Sequence, residues 1–261
     1  MRRPETAASV TRLVKLLSGT WLKDGPPEYL RVLDLCTGTG CIPLLFHHEM
    51  FNSGEHSPRA ATFIGADISP QALALAAQNK AIQLREPGTS FGSESARKQS
   101  LRSMHFVQAD VLAGSLSLPE QRYDVLISNP PYISSSSFLR TTTASVRRYE
   151  PKLALVPAQH SAMEDGDAFY PRLLDIASQV QAKVLLFEVA DLDQAKRVAE
   201  RVLQRAVWDG VEIWRDEPGV SGSKTGEDAV VVDGRDIGVR GEGNGRSVVA
   251  WTREGAKWLG R

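Results

Sequence analysis

Apolar runs of strand length alternate along the chain with longer segments whose apolar positions recur at helical spacing, which is the pattern of an α/β protein with a parallel sheet. The runs predict strands over Leu30 to Leu35, Thr62 to Ile68, Met104 to Ala109, Tyr123 to Ser128 and Lys183 to Val189, with Val211 to Arg215 and Ser247 to Thr252 last. Helices are expected between most of them. One begins near Cys41, one covers Pro70 to Leu84 with apolar Ala72, Leu73, Ala76, Ala77 and Ile82, and two more cover Ala168 to Val180 and Leu192 to Val207. Ser69 before Pro70 reads as an N-cap followed by proline in the first turn. No helix separates the last two strands, so they predict a hairpin on a long loop and an antiparallel final strand. Two polar stretches break the alternation, 86–103 and 217–246, and both read as solvated loop insertions. The expectation is a mostly parallel seven-stranded sheet, with residues 1–29 as a helical lead-in and 30–261 as one domain carrying those insertions.

Length and charge narrow the classes. A chain of 261 residues can bury a full core. Its 31 basic and 31 acidic residues cancel, so no overall positive field drives binding to a phosphate backbone, and nucleic acid is not expected as a partner. Cys36 and Cys41 form neither a disulfide framework nor a repeated zinc pattern, and His47, His48, His56, His105 and His160 lack ligand spacing, so no metal is expected. No apolar run approaches the roughly 18 residues that span a bilayer, so no membrane partner is expected either.

The candidate chemistry sits at strand ends. Arg31 to Gly40 is an apolar strand running into a Gly-containing turn, where backbone can approach a ligand and the next helix presents N–H groups to it. A tight turn without a ligand is the plain alternative. Asp34 lies in that strand, Asp67 ends the second and Asp110 ends the third; ligands of open α/β sheets bind beyond these carboxyl ends. Three acids there suit a nucleoside whose hydroxyls and exocyclic amine donate, and the turn lacks the lysine of a phosphate-cradling loop. The fourth strand breaks into Asn129-Pro130-Pro131-Tyr132. Two prolines stiffen this turn, so the Asn129 side chain and the Pro130 carbonyl can accept both hydrogens of one amine while Tyr132 stacks on the planar group that carries it. The plain alternative is a rigid loop start, since Asn and Pro favour turns.

These residues resemble the HemK/PrmC family of release-factor glutamine methyltransferases, within the S-adenosylmethionine-dependent Rossmann-like methyltransferases. Asp34 to Gly40 with Cys41-Ile42 is similar to the family's cofactor loop, and Ser128 to Ile133 to its catalytic loop. Arg147 to Leu155, then Asp165-Gly166 and Tyr170, resembles the segment that follows, and Arg3-Pro4-Glu5-Thr6 resembles the entry into the catalytic domain. The resemblance implies transfer of a methyl group from S-adenosylmethionine to a protein glutamine amide, with a peptide chain release factor as partner. It implies Asn129, Pro130 and Tyr132 as catalytic residues, and Asp34, Thr37, Gly38, Gly40, Asp67, Ile68, Asp110, Val111 and Asn129 as the cofactor contacts.

The chain departs from the family's pattern at two positions. Cys36 stands where the family has glycine, so a positive φ there would be strained, and Ala7 stands where it has an acid. The match begins almost at Met1, so no counterpart of the family's separate N-terminal helical domain is expected. Arg2, Arg3, Arg12 and Lys15 against Glu5 give a basic start, short of a clear Arg/Ser-rich leader; a mitochondrial location is expected, with the cytoplasm as alternative. An N6-adenine nucleic-acid methyltransferase needs the same two acceptors and ring. A small-molecule methyltransferase and a methyltransferase-like scaffold without turnover also stay open.

Overall fold

The computed structural model describes residues 4–52, 58–86, 94–114, 116–133, 166–220 and 229–261. Its strands are β1 (Tyr29–Leu35), β2 (Ala60–Asp67), β3 (His105–Gln108), β4 (Val125–Ser128), β5 (Val184–Glu188), β6 (Gly210–Glu217), β7 (Ala229–Val232), β8 (Arg235–Arg240) and β9 (Glu242–Trp251). The helices are α1 (Pro4–Asp24), α2 (Cys41–Asn52), α3 (Pro70–Arg85), α4 (Glu94–Arg102), α5 (Tyr170–Gln179), α6 (Leu192–Leu203) and α7 (Arg253–Trp258). The sheet order is β3-β2-β1-β4-β5-β9-β6-β8-β7. β1 to β5 pair in parallel, and β9 runs antiparallel between β5 and β6.

All seven expected strands are present and the last is antiparallel, but the described sheet has nine strands. The stretch 217–246 is therefore not wholly a solvated loop. Val230, Val232, Ile237 and Val239 alternate with exposed positions and are buried, so β7 and β8 extend the sheet beyond β6. Asp233 and Gly234 join them with φ of 49° and 70°, the left-handed pair of a two-residue hairpin turn. The stretch 86–103 is corrected likewise: its second half forms α4, which buries Arg97, Ser100 and Leu101.

Two apolar layers cover the sheet. One packs α5 and α6 through Leu173, Leu174, Val198 and Val202; the other packs α1 and α2 through Val10, Leu13, Leu17, Trp21 and Phe46. Those α1 positions recur three to four residues apart, the stripe that sends one helix face inward. Ser69 caps α3 as expected, its hydroxyl accepting from Ala72 N at 3.2 Å.

Candidate active site

Because β3, β2, β1 and β4 are neighbours, every site residue expected from the sequence lies in or just beyond one of four adjacent strands, near their carboxyl ends. The turn after β1 is pinned by Thr37 N donating to Ala66 O and Gly40 N donating to Thr37 O, both at 3.0 Å. Cys36, Gly38 and Gly40 all take left-handed backbone, at φ 60°, 54° and 75°. The two glycines do different work. A Cβ on Gly40 would meet Phe106 at 2.8 Å, so that position serves internal packing, whereas a Cβ on Gly38 would meet nothing within 4 Å, which leaves its backbone open to a ligand.

Asp67 braces this turn. Its Oδ2 accepts from Gly38 N at 2.8 Å and its Oδ1 from Ser69 N at 2.9 Å, and each oxygen keeps a lone pair for another donor. Asp110 is exposed and its Oδ1 accepts from Leu112 N at 2.9 Å. Ile68 is 46% exposed, while Val111 is buried in the core; Leu112, at 38%, is the residue left in the open there. Two apolar side chains in water past adjacent strand ends fit the faces of a planar ring.

Asp34 is fully buried, and neither of its oxygens nor Thr37 Oγ1 has a hydrogen-bond partner among the described residues. Burial pushes its carboxyl up to about 8, with the nearby Thr37 hydroxyl opposing and the Asp67 charge reinforcing. A carboxyl stranded in this way suits a cationic or strongly donating group nearby. Together with the open face at Gly38, the residues fit a cationic nucleoside such as S-adenosylmethionine. Among the described residues no cluster of His, Cys, Asp or Glu could hold a metal.

The other half of the site lies past β4. Ser128 donates from Oγ to Leu35 O at 2.7 Å and ties β4 to the end of β1. Asn129 is half-buried, and its carboxamide makes no hydrogen bond to a described residue. Pro130 is buried beside it. Tyr132 is packed in the core, and its hydroxyl donates to Glu188 Oε1 at 3.0 Å. Glu188 ends β5, is buried, and receives a second hydroxyl through Oε2, that of Thr6 in α1. A small cavity opens here, lined by Thr6, Ser9, Asn129, Leu186, Glu188 and Ser247 among others.

One side chain gathers the far end of this region. Gln194 of α6 donates from Nε2 to Asp167 Oδ1 at 2.9 Å and to Gly166 O at 3.1 Å, with Tyr132 O at 3.4 Å. Tyr170 donates to Glu188 O at 2.9 Å. Of the sequence segment expected to follow the catalytic loop, Gly166 and Tyr170 thus join the site, while Arg147 to Leu155 and Asp165 lie outside the described residues. Leu112, Glu188, Gln194, Ser9 and Ser247 were not expected from the sequence. Only Glu188 left a clear signal there, an acid closing the apolar run Val184 to Phe187.

A sheet of this order, with one antiparallel strand inserted beside β5 and a nucleoside-type turn after β1, defines a Rossmann-like methyltransferase fold. The chain belongs to the methyltransferase-domain family, whose model, described as "Methyltransferase domain", matches residues 28–207. Within that class it is similar to curated proteins named as glutamine methyltransferases. One is the Schizosaccharomyces pombe protein named for MRF1 mitochondrial N(5)-glutamine methyltransferase, 32% identical over 65% of this chain and 50% of its own length. Another is the ribosomal protein uL3 glutamine methyltransferase of Xanthomonas campestris, 29% identical over 71% and 49%. A release factor glutamine methyltransferase of Thermodesulfovibrio yellowstonii is 26% identical over 84% and 64%. The chain spans about half the length of the first of these relatives. Among solved structures, a protein from Listeria monocytogenes described as a class I S-adenosylmethionine-dependent methyltransferase shares the fold with TM-score 0.51 and 13% identity, covering 97% of this chain and 60% of that one. Human methyltransferase 10 domain containing protein does so with TM-score 0.50 and 14% identity, over 95% and 81%.

Proposed function

We propose that this protein transfers a methyl group from S-adenosylmethionine to the side-chain amide nitrogen of a glutamine in a peptide chain release factor. The observation that carries the reading is Asn129, a carboxamide with no hydrogen-bond partner among the described residues, which lines the cavity under α1 just past β4. The names of the relatives, for release factors in bacteria and for MRF1 in mitochondria, support the acceptor. The fungal names favour a mitochondrial location and the bacterial ones leave the cytoplasm as alternative.

When bound, S-adenosylmethionine supplies an electrophilic methyl group on a sulfonium. Gly38, Asp67, Ile68, Asp110 and Leu112 would hold its nucleoside, and Asp34 with Thr37 would face its cationic end. Asn129 Oδ1 and the Pro130 carbonyl accept the two N–H bonds of the amide, which fixes a nitrogen whose lone pair is otherwise delocalised. Glu188 holds the Tyr132 hydroxyl and thereby the loop that presents these acceptors. The residues orient the acceptor; as the methyl group bonds to the nitrogen the sulfonium leaves as a neutral thioether, and the nitrogen loses one of its two protons to water, which needs no strong base.

The test is methylation of a panel containing unmethylated release factor, ribosomal protein uL3 and oligonucleotides, with the methyl group located by mass spectrometry. A methylated glutamine in the release factor is the expected product; methyl on an oligonucleotide alone overturns the reading. In Asn129→Ala, transfer should fall at least about a hundredfold while cofactor affinity holds, because the lost acceptor serves the amine and not the sulfonium. Near-normal turnover in that variant, with cofactor saturating, means that the loop is structural.

A further inference from the structure

A carboxamide presents two N–H donors and one carbonyl oxygen. The proposed site meets the donors with Asn129 and Pro130, and a carbonyl oxygen left without a donor in a buried cavity costs about as much as a lost hydrogen bond. The hydroxyl protons of the cavity wall are the candidates for that donor. Thr6 uses its proton on Glu188, and Ser128 uses its own on Leu35 O. Ser9 of α1 and Ser247 of β9 face each other with oxygens 2.9 Å apart, and both are almost fully buried, at 2% and 1% exposure. Two hydroxyls carry two protons, and one bond between them consumes one. The second proton has no acceptor among the described residues, and both serines line the cavity together with Asn129.

Resting on the reading of the site as a glutamine methyltransferase, we propose that the Ser9–Ser247 hydroxyl pair is a specificity-determining element that donates one hydrogen bond to the carbonyl oxygen of the acceptor carboxamide. Such a bond draws electron density away from the amide nitrogen, so it does not speed attack on the methyl group. It binds the acceptor at least as well in the ground state as in the transition state, so its loss appears as a rise in KM and not as a fall in kcat. The pair joins α1 to β9, which makes the first helix part of the acceptor pocket.

The arithmetic of protons gives the pair a signature. Removing either serine leaves one hydroxyl whose proton is free to donate, and removing both leaves none. With unmethylated release factor as substrate, Ser9→Ala and Ser247→Ala should each keep KM within about threefold, while the double variant raises it roughly tenfold at unchanged kcat, the scale of one neutral hydrogen bond. S-adenosylmethionine affinity by calorimetry and the melting temperature should stay near wild type in all three. A double variant with wild-type KM overturns the proposal. So do single variants that each lose as much as the double, and so does a fall in cofactor affinity, which would assign the pair to the cofactor's end of the site. Failure of the parent reading looks different: Asn129→Ala then transfers normally, or the wild-type protein methylates no carboxamide, which removes both.

Discussion

Cys36 holds a left-handed backbone, φ 60°, at the position where glycine would adopt it without strain, and its side chain packs partly against the core. The left-handed cost for a residue with Cβ is about 1 to 2 kcal/mol, and glycine returns about 0.4 to 1 kcal/mol of that through a looser unfolded chain. Cys36→Gly should therefore be neutral to about 1.5 kcal/mol more stable, and Cys36→Val, branched at Cβ, clearly less stable than wild type; thermal melts that reverse this order would show that the thiol's packing dominates. Asp34 makes a second case. A carboxyl whose folded pKa lies near 8, above its unfolded value of 3.8, keeps its proton in the folded state while the unfolded state has lost it. That favours folding at low pH, and the advantage is lost as pH rises through the window between the two values. Relative to wild type, cofactor-free Asp34→Asn should thus gain about 2 kcal/mol between pH 5 and 7 in denaturant melts; parallel curves would mean that Asp34 is ionised and satisfied in the folded protein. Asp67 carries both structure and the expected ribose contact, so Asp67→Ala should weaken S-adenosylmethionine binding by about 1.5 to 3 kcal/mol while also releasing Gly38 N. Calorimetry with unchanged affinity in a folded variant would remove Asp67 from the binding site.

α2 and α4 meet through His47. Its ring stacks on Phe51 at 4.8 Å between centroids, and its Nε2 lies 3.1 Å from Arg97 O of α4. Burial pushes the imidazole down to about 4; the bond to the Arg97 carbonyl opposes this, and the Arg97 and His48 charges add to it. The folded state then refuses a proton that the unfolded state takes up below its pKa of 6.5, so stability is full above that value and is lost as pH falls towards 4. About 2 to 3 kcal/mol of this loss at pH 4.5 should vanish in His47→Gln; a variant as acid-sensitive as wild type would place the sensitivity elsewhere. The strands and their order of burial were legible from runs such as Leu30 to Leu35, because a strand covered on both faces must be apolar throughout. The helix α4 was hidden by its composition: one face buries Leu101 while Glu94, Lys98 and Arg102 keep the stretch polar on average. The β7–β8 hairpin was hidden the same way, although Asp233-Gly234 between alternating valines is itself a hairpin signal. At the site, the residues fixed to a turn or a strand end, Gly38, Asp67 and Asn129, could be found along the chain. Ser9, Glu188 and Ser247 could not be assembled from sequence, since only the insertion of β9 beside β5 brings residues 238 positions apart into one hydrogen bond.

At the scale of the molecule, α1 belongs to the body of the methyltransferase domain. The sequence suggested a lead-in over 1–29 and a separate domain from 30, yet α1 buries Val10, Leu13, Val14, Leu17 and Trp21 in the same layer as Phe46, Phe63, Trp214 and Leu259. Trp21 meets Trp258 of α7 edge to face, with centroids 5.8 Å apart, so the first and last helices close on each other. No helix among the described residues is long and apolar enough to cross a membrane, and α1 directs its apolar face at this core. Its other contacts reach the site, through Thr6 to Glu188 and Ser9 to Ser247. A helix that supplies both core and cavity wall is expected to fold with the sheet as one unit. Truncating a fully buried leucine costs about 2 to 5 kcal/mol, against a typical total stability of about 5 to 15 kcal/mol. Leu13→Ala and Leu17→Ala should each lower the melting temperature by several degrees, and the double variant should be largely unfolded at 37 °C. If α1 were instead a detachable arm, the double variant would keep the wild-type melting transition and still bind S-adenosylmethionine, and only the helical signal of the arm itself would be lost in circular dichroism. Saturating cofactor raises the melting temperature by mass action in either case, so the two cases are separated by the cofactor-free transition: it falls in the double variant when α1 is integral and stays at the wild-type temperature when α1 is an arm.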